Sequence, residues 1–176
     1  FITAARYAPQ WEPQLEEIMF KCLDGIEKIS GKTILLVDVS GSMDEKISSK
    51  TDVNRIDAAC GIAILALEMC ELVSVYTFSN NLIQIPSRKG FALRDAIQKS
   101  QPHNGTYLAN AILGLKEIAD RIIVFTDEQA HDNVSNPPYA KGYMINVATN
   151  QNGVGYGKWI HIDGFSEATM RYIYEF

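Results

Sequence analysis

The chain has 176 residues, of which 47% are hydrophobic and 21% charged, with a formal net charge of -5. That length and apolar content suit one domain with a full core. The acidic balance gives no global pull toward nucleic acid or an anionic membrane surface. No apolar stretch reaches the ~20 residues of a transmembrane helix, and no signal-peptide pattern opens the chain.

Apolar positions Leu15, Ile18, Met19, Cys22, Ile26 and Ile29 recur at helical spacing, with Pro13 as a start signal and Gly31 as the stop. A strand over about 33–39 follows at once. After the polar loop 43–53, Ile56, Ala59, Cys60, Ala63, Ile64 and Leu67 form a second helical stripe. Leu72 to Phe78 reads as a strand. Leu82 to Ile85, set between the Asn80-Asn81 turn and Pro86, reads as a short antiparallel edge strand. A short helix is expected from Phe91 to Lys99, and a longer one carries Leu108, Ala111, Ile112, Leu115 and Ala119. The strand ending at Thr126, a polar loop from 128 to about 141, strands near 142–148 and 158–163, and a final helix from about 166 complete the chain.

Strands alternating with helices, and apolar runs unbroken by polar residues, indicate an α/β chain whose mostly parallel sheet is covered on both faces. Residues 1–30 read as an N-terminal helix and the junction to a missing upstream domain, because the helix signal starts late and Phe1 is not an initiator; residues 31–176 read as the main domain. Three cysteines are an odd number. Cys60 and Cys70, if on one helix, lie about 15 Å apart by helix rise, beyond disulfide reach. All three are expected to be reduced core thiols of a cytosolic protein.

The chemistry is concentrated where two apolar runs end. Ile34-Leu35-Leu36-Val37-Asp38-Val39-Ser40-Gly41-Ser42 closes a buried strand on an aspartate and two alternate hydroxyls, with Gly41 allowing a tight turn. Ile122-Ile123-Val124-Phe125-Thr126-Asp127 repeats the run and the aspartate. In one parallel sheet, Asp38 and Asp127 emerge at the carboxyl edge, where open α/β sheets bind ligands. Thr106, at the mouth of the 107–119 helix, is a helix cap or a third hydroxyl ligand. Two carboxylates and three hydroxyls suit a hard divalent cation, and magnesium, which prefers six oxygens, would keep a position for water or an outside acidic group. Manganese and calcium are the alternatives.

Asp38-Val39-Ser40-Gly41-Ser42, Thr106 and Asp127, in this order on these elements, resemble the metal-ion-dependent adhesion site (MIDAS) of von Willebrand factor A (VWA) domains. The resemblance covers about 31–176. It implies a three-layer Rossmann-like fold, with a mostly parallel six-stranded sheet, one antiparallel edge strand and helices on both faces. It implies direct coordination by Ser40, Ser42 and Thr106, with Asp38 and Asp127 acting often through water. An acidic group of a protein partner would take the open position. Ala4-Ala5-Arg6-Tyr7-Ala8-Pro9-Gln10-Trp11, Gly31-Lys32-Thr33, Asp57-Ala58-Ala59-Cys60-Gly61 and Phe91-Ala92-Leu93-Arg94 further resemble the C-terminal half of bacterial Ro/TROVE-type proteins. That likeness implies an upstream ring of helical repeats that binds small noncoding RNA, and a ribonucleoprotein context for the parent protein.

Weaker signals surround the site. His103, His131 and His161 lack zinc-ligand spacing, and His103 and His131 fall in the flanking loops. Gly153-Val154-Gly155-Tyr156-Gly157 reads as a turn rather than a nucleotide loop. Arg88, Lys89 and Arg94 form a modest basic cluster, and Glu128 stands beside Asp127. Asn104-Gly105-Thr106 and Asn133-Val134-Ser135 would accept glycans only in a secreted protein. A glycan at Asn104 would obstruct the metal cleft, so the chain is expected to be cytoplasmic, away from any membrane.

The leading expectation is a magnesium-dependent binding module of a Ro/TROVE-like RNA-binding protein, without enzymatic activity. One alternative is a metal-dependent phosphatase or hydrolase with Asp38 as nucleophile. Ser40 stands where such chemistry would want a second acid. The other alternative is a structural domain with a vestigial site. As a residue of the sheet's rim, Asp38 is expected to be replaceable by alanine with loss of magnesium and an intact fold.

Overall fold

Ile34, Leu35, Leu36 and Val37 are fully shut off from solvent, as are Ile122, Ile123, Val124 and Phe125. Unbroken apolar runs of this kind belong to strands covered on both faces. The computed structural model describes residues 1–148, 157–164 and 166–175. In it the two runs lie side by side in β1 (Ile29–Asp38) and β4 (Arg121–Thr126), the central strands of a six-stranded sheet. The other strands are β2 (Cys70–Phe78), β3 (Leu82–Ile85), β5 (Lys141–Asn146) and β6 (Ile160–Asp163). Their order is β3-β2-β1-β4-β5-β6. Every neighbouring pair is parallel except β2 with β3, so β3 is the antiparallel edge strand its flanking turn and proline indicate.

The helices are α1 (Ile2–Tyr7), α2 (Glu12–Leu23), α3 (Arg55–Met69), α4 (Gly90–Gln98), α5 (Leu108–Gly114) and α6 (Glu167–Glu175). Alternate residues of each strand point to opposite faces. On one face Leu35, Val37, Val75, Ile123, Phe125 and Ile145 pack with apolar residues of α3, α4 and α6. On the other, Ile34, Leu36, Phe78, Val124 and Met144 pack against Leu108, Ala111 and Ile112 of α5, and loop residues Ala130, Val134 and Tyr139 extend the cover. The α/β three-layer architecture with helices on both faces is therefore the one the sequence implies. α1 and α2 dock beside α3 and α4: Arg6 pairs with Asp57, Glu12 with Arg94 (2.6 Å), and Phe91 N–H donates to Glu16 (2.8 Å).

Several elements differ from expectation. α1 forms where the periodicity gives no helix, and α2 ends at Leu23 because the chain turns at Gly25, whose φ of +76° is left-handed. Ile26 is exposed and Ile29 is the first residue of β1 rather than the last apolar position of a helix. Gly31 stops nothing. It lies within β1 at φ +83°, where the pairing with β2 shifts register between Ile29 and Lys32. α5 stops at Gly114, so Leu115 and Ala119 are not helical. Cys22 is exposed, Cys60 and Cys70 are buried, and all three are free; Cys70 opens β2 rather than extending α3. Among the described residues no helix is long and apolar enough to cross a membrane. Of the glycine-rich turn at 153–157, only Gly157 lies within the described residues.

Candidate metal centre

Strand order reverses about β1: the chain runs outward to β2 and β3 on one side, then crosses to β4 on the other. The gap between the carboxyl ends of β1 and β4 is the crevice where sheets of this topology receive ligands. Asp38 ends β1 and Asp127 follows β4, so both expected carboxylates sit at that gap. Both are fully buried.

After Asp38 the chain stays extended through Ser40 and then closes into a 3-10 turn over Gly41–Asp44. Met43 anchors that turn in the core with no exposure. The turn brings Ser40 Oγ and Ser42 Oγ to 3.3 Å. Adjacent ligands of an octahedral ion bonded at about 2.0–2.1 Å lie about 3 Å from one another, so this spacing fits a shared magnesium. Asp38 holds the turn from beneath. Its Oδ1 accepts the Ser40 N–H at 2.8 Å and its Oδ2 accepts the Thr126 hydroxyl at 2.7 Å. Burial pushes the Asp38 carboxyl up to about 7, with hydrogen bonds from Ser40 and Thr126 opposing the rise and the Asp127 charge adding to it. Asp38 is therefore no dispensable rim residue, and alanine there would strand two buried donors.

Thr106 is buried in a loop stitched to its neighbours. Gly41 N–H donates to Asn104 O (2.9 Å), Asn104 N–H to Ser79 Oγ (2.9 Å), and Ser79 Oγ to Gly105 O (3.0 Å). His131 N–H donates to Thr106 O at 2.8 Å, which ties the loop after β4 to the Thr106 loop. His103 Nδ1 lies 2.9 Å from Asp44, and its Nε2 lies 3.0 Å from Gln98 O, so this histidine clamps the serine turn to α4. The three loops that carry the expected ligands thus form one hydrogen-bonded rim, with Ser79 as an unforeseen support.

Asp127 is the residue whose surroundings the sequence did not convey. Its Oδ1 accepts the Gln129 N–H at 3.3 Å, and its Oδ2 lies 2.7 Å from Nη1 of Arg55. Arg55 Nη1 also reaches Ser42 O at 3.2 Å, so one guanidinium links the serine turn to the second aspartate. Arg55 opens α3 directly after its N-cap Asn54, inside the Asn54–Asp57 capping box. A cation there opposes the positive pole of the helix, and that unfavourable placement is the signal in the sequence that could have marked it.

Glu128 has φ +59°, the left-handed region that a non-glycine residue rarely enters. That turn swings its buried carboxylate 2.8 Å from His161 Nδ1 on β6, while its own N–H donates to Thr126 Oγ1. Glu128 thus ties β4 to β6. The expected basic cluster is dispersed: Arg94 pairs with Glu12 and Asp95, and Lys89 lies over the Phe20 ring. Among the described residues there is no group of three or more His, Cys, Asp or Glu side chains placed to hold a metal. The expected site has two carboxylates, and hydroxyls make up the rest of its donors.

No family model matches the chain. No curated protein matches it either. Among solved structures, the Ro (RSR) protein of Deinococcus radiodurans superposes with a TM-score of 0.67 at 21% identity, over 89% of this chain and 36% of that one. The chain therefore spans about a third of that protein's length. The conserved hypothetical protein BatB of Bacteroides thetaiotaomicron superposes with a TM-score of 0.54 at 14% identity, covering 83% of this chain and 96% of that one. An aerotolerance-related membrane protein of Bacteroides fragilis gives 0.53 at 12% identity, covering 81% and 96%. At the level of fold, the resemblance to the A domain of Ro-type proteins agrees with the similarity to the Deinococcus structure.

Proposed function

We propose that this chain is a divalent-cation-dependent binding module that docks an acidic group of a protein partner through magnesium held by Ser40, Ser42 and Thr106. The observation that carries the reading is the 3.3 Å approach of the Ser40 and Ser42 hydroxyls above the buried Asp38. When bound, the ion would supply an electrophilic position open to an outside carboxylate, and manganese could replace it. Asp38 fixes the turn that presents both serines, and Asp127 adds negative charge from the neighbouring strand. The hydrogen-bonded rim through Gly41, Asn104 and His131 ties the three loops to one another.

Catalysis is a weaker reading of the same residues. Each Asp38 oxygen already accepts a hydrogen bond and the side chain has no exposure, which argues against its attacking a phosphate. The likeness to part of the Deinococcus Ro protein, together with the N-terminal Ro-type motif, supports a place inside a cytoplasmic Ro/TROVE-like RNA-binding protein. There an upstream helical-repeat domain would contact small noncoding RNA, and this module would recruit a partner. A structural domain with a vestigial site is the second reading, favoured by the Arg55 guanidinium that already pairs with Asp127.

Calorimetric titration of the chelator-treated chain with magnesium tests the proposal. One-site binding, weakened about tenfold or more in Ser42→Ala, is expected from loss of a direct ligand. Ser42 lies at the partly exposed turn, so its removal leaves the core untouched. No binding in the parent chain would favour the structural domain.

A further inference from the structure

We propose that Arg55 is a built-in competitor for the cation, holding Asp127 when the site is metal-free and setting how tightly the site takes a divalent ion. This rests on the metal-site reading above and adds a control element to it. Arg55 is 6% exposed, and a buried guanidinium needs a buried anion. Asp127 provides it at 2.7 Å, with no exposure of its own. The pairing removes one of the two negative charges that the site offers an incoming ion.

Two further observations bear on that role. Arg55 Nε is buried with no hydrogen-bond partner among the described residues, so the guanidinium is placed for Asp127 and the Ser42 carbonyl at the cost of its own saturation. Its Nη2 also lies 3.0 Å from Glu45, whose side chain is 65% exposed at the outer side of the site. Glu45 gives Arg55 a second anion, so the guanidinium can yield Asp127 to a divalent ion without being left unpaired. A cation that enters must outcompete the tethered one, and the site responds to magnesium concentration with a lowered affinity.

The test compares the parent chain with Arg55→Gln, which keeps N–H donors toward Asp127 and Ser42 but loses the charge, and with Arg55→Lys, which keeps the charge. Each is treated with chelator and titrated calorimetrically with magnesium chloride. Arg55→Gln should bind about tenfold or more tightly than the parent, and Arg55→Lys within about threefold of it. Magnesium should also raise the melting temperature of Arg55→Gln more than that of the parent. A purely structural arginine would produce the opposite: equal or weaker binding in Arg55→Gln overturns the inference while the metal site stands. Absence of binding in the parent and both variants ends the metal reading and this inference with it. A second readout uses the parent alone, in case Arg55→Gln does not fold. NMR of the Arg55 guanidinium should show faster proton exchange with water once magnesium is added, and unchanged protection overturns the inference.

Discussion

Asp38 works under two opposed demands. It must hold the Ser40 turn from inside the core, and it must do so as a carboxylate that burial penalises. Its folded value of about 7 lies above the ordinary 3.8, so between those values the folded chain binds more protons than the unfolded one. Metal-free stability should therefore fall as pH rises from 3.8 to about 7, then level off. Thermal unfolding of the chelated chain across that range checks this, and Asp38→Asn, which cannot ionise, should lose that component of the slope. An identical slope in parent and variant would mean that Asp38 does not titrate in the window. At this scale the sequence was informative about identity and silent about partners. Asp38, Ser40 and Ser42 could be read from one apolar run and its polar end, because a buried strand has one carboxyl terminus. Arg55 could be marked only as a cation at a helix start; its pairing with Asp127 spans 72 positions of chain and depends on how α3 is set against the sheet.

Among the elements, α5 departs furthest from its pattern, and Glu117 explains the departure. Helical spacing continues to Ala119, yet the helix ends at Gly114 and Glu117 turns toward the sheet. There it accepts from Lys32 (2.7 Å), Tyr76 (2.6 Å) and Ser74 (2.7 Å). These partners, with Lys32 foremost, hold its carboxyl down at about 2. Glu117→Ala should cost about 1–3 kcal/mol, because the buried side of the Tyr76 and Ser74 hydroxyls loses its acceptor. Urea unfolding at neutral pH checks this. A depressed value means that the contribution is complete above 4.5 and lost as pH falls toward about 2, so parent and variant should converge in acid. The sequence could not announce this tether, because period alone extends a helix until a tertiary contact competes with it. Gly25 and Gly31 illustrate the same limit: both are helix-stop residues by type, and only the fold separates a turn from a register shift.

For the whole molecule, a mostly parallel sheet with an antiparallel edge strand was legible because the central strands are continuous apolar runs and β3 carries its own edge signals, whereas the strand order emerges only in the fold. That order places the reversal point between β1 and β4, and hence the two aspartates, in one crevice. The closing of the rim was less legible. It depends on backbone hydrogen bonds such as Gly41 to Asn104 and His131 to Thr106, which side-chain type does not specify. Ser40, Ser42 and Thr106 are proposed to hold one divalent ion above Asp38 and Asp127. Manganese makes this visible directly. Crystals of the chain grown with manganese should give one strong anomalous peak in contact with the Ser40 and Ser42 hydroxyls, on the side facing Thr106. A crevice without a peak at saturating manganese, with Arg55 still paired to Asp127, would contradict the account.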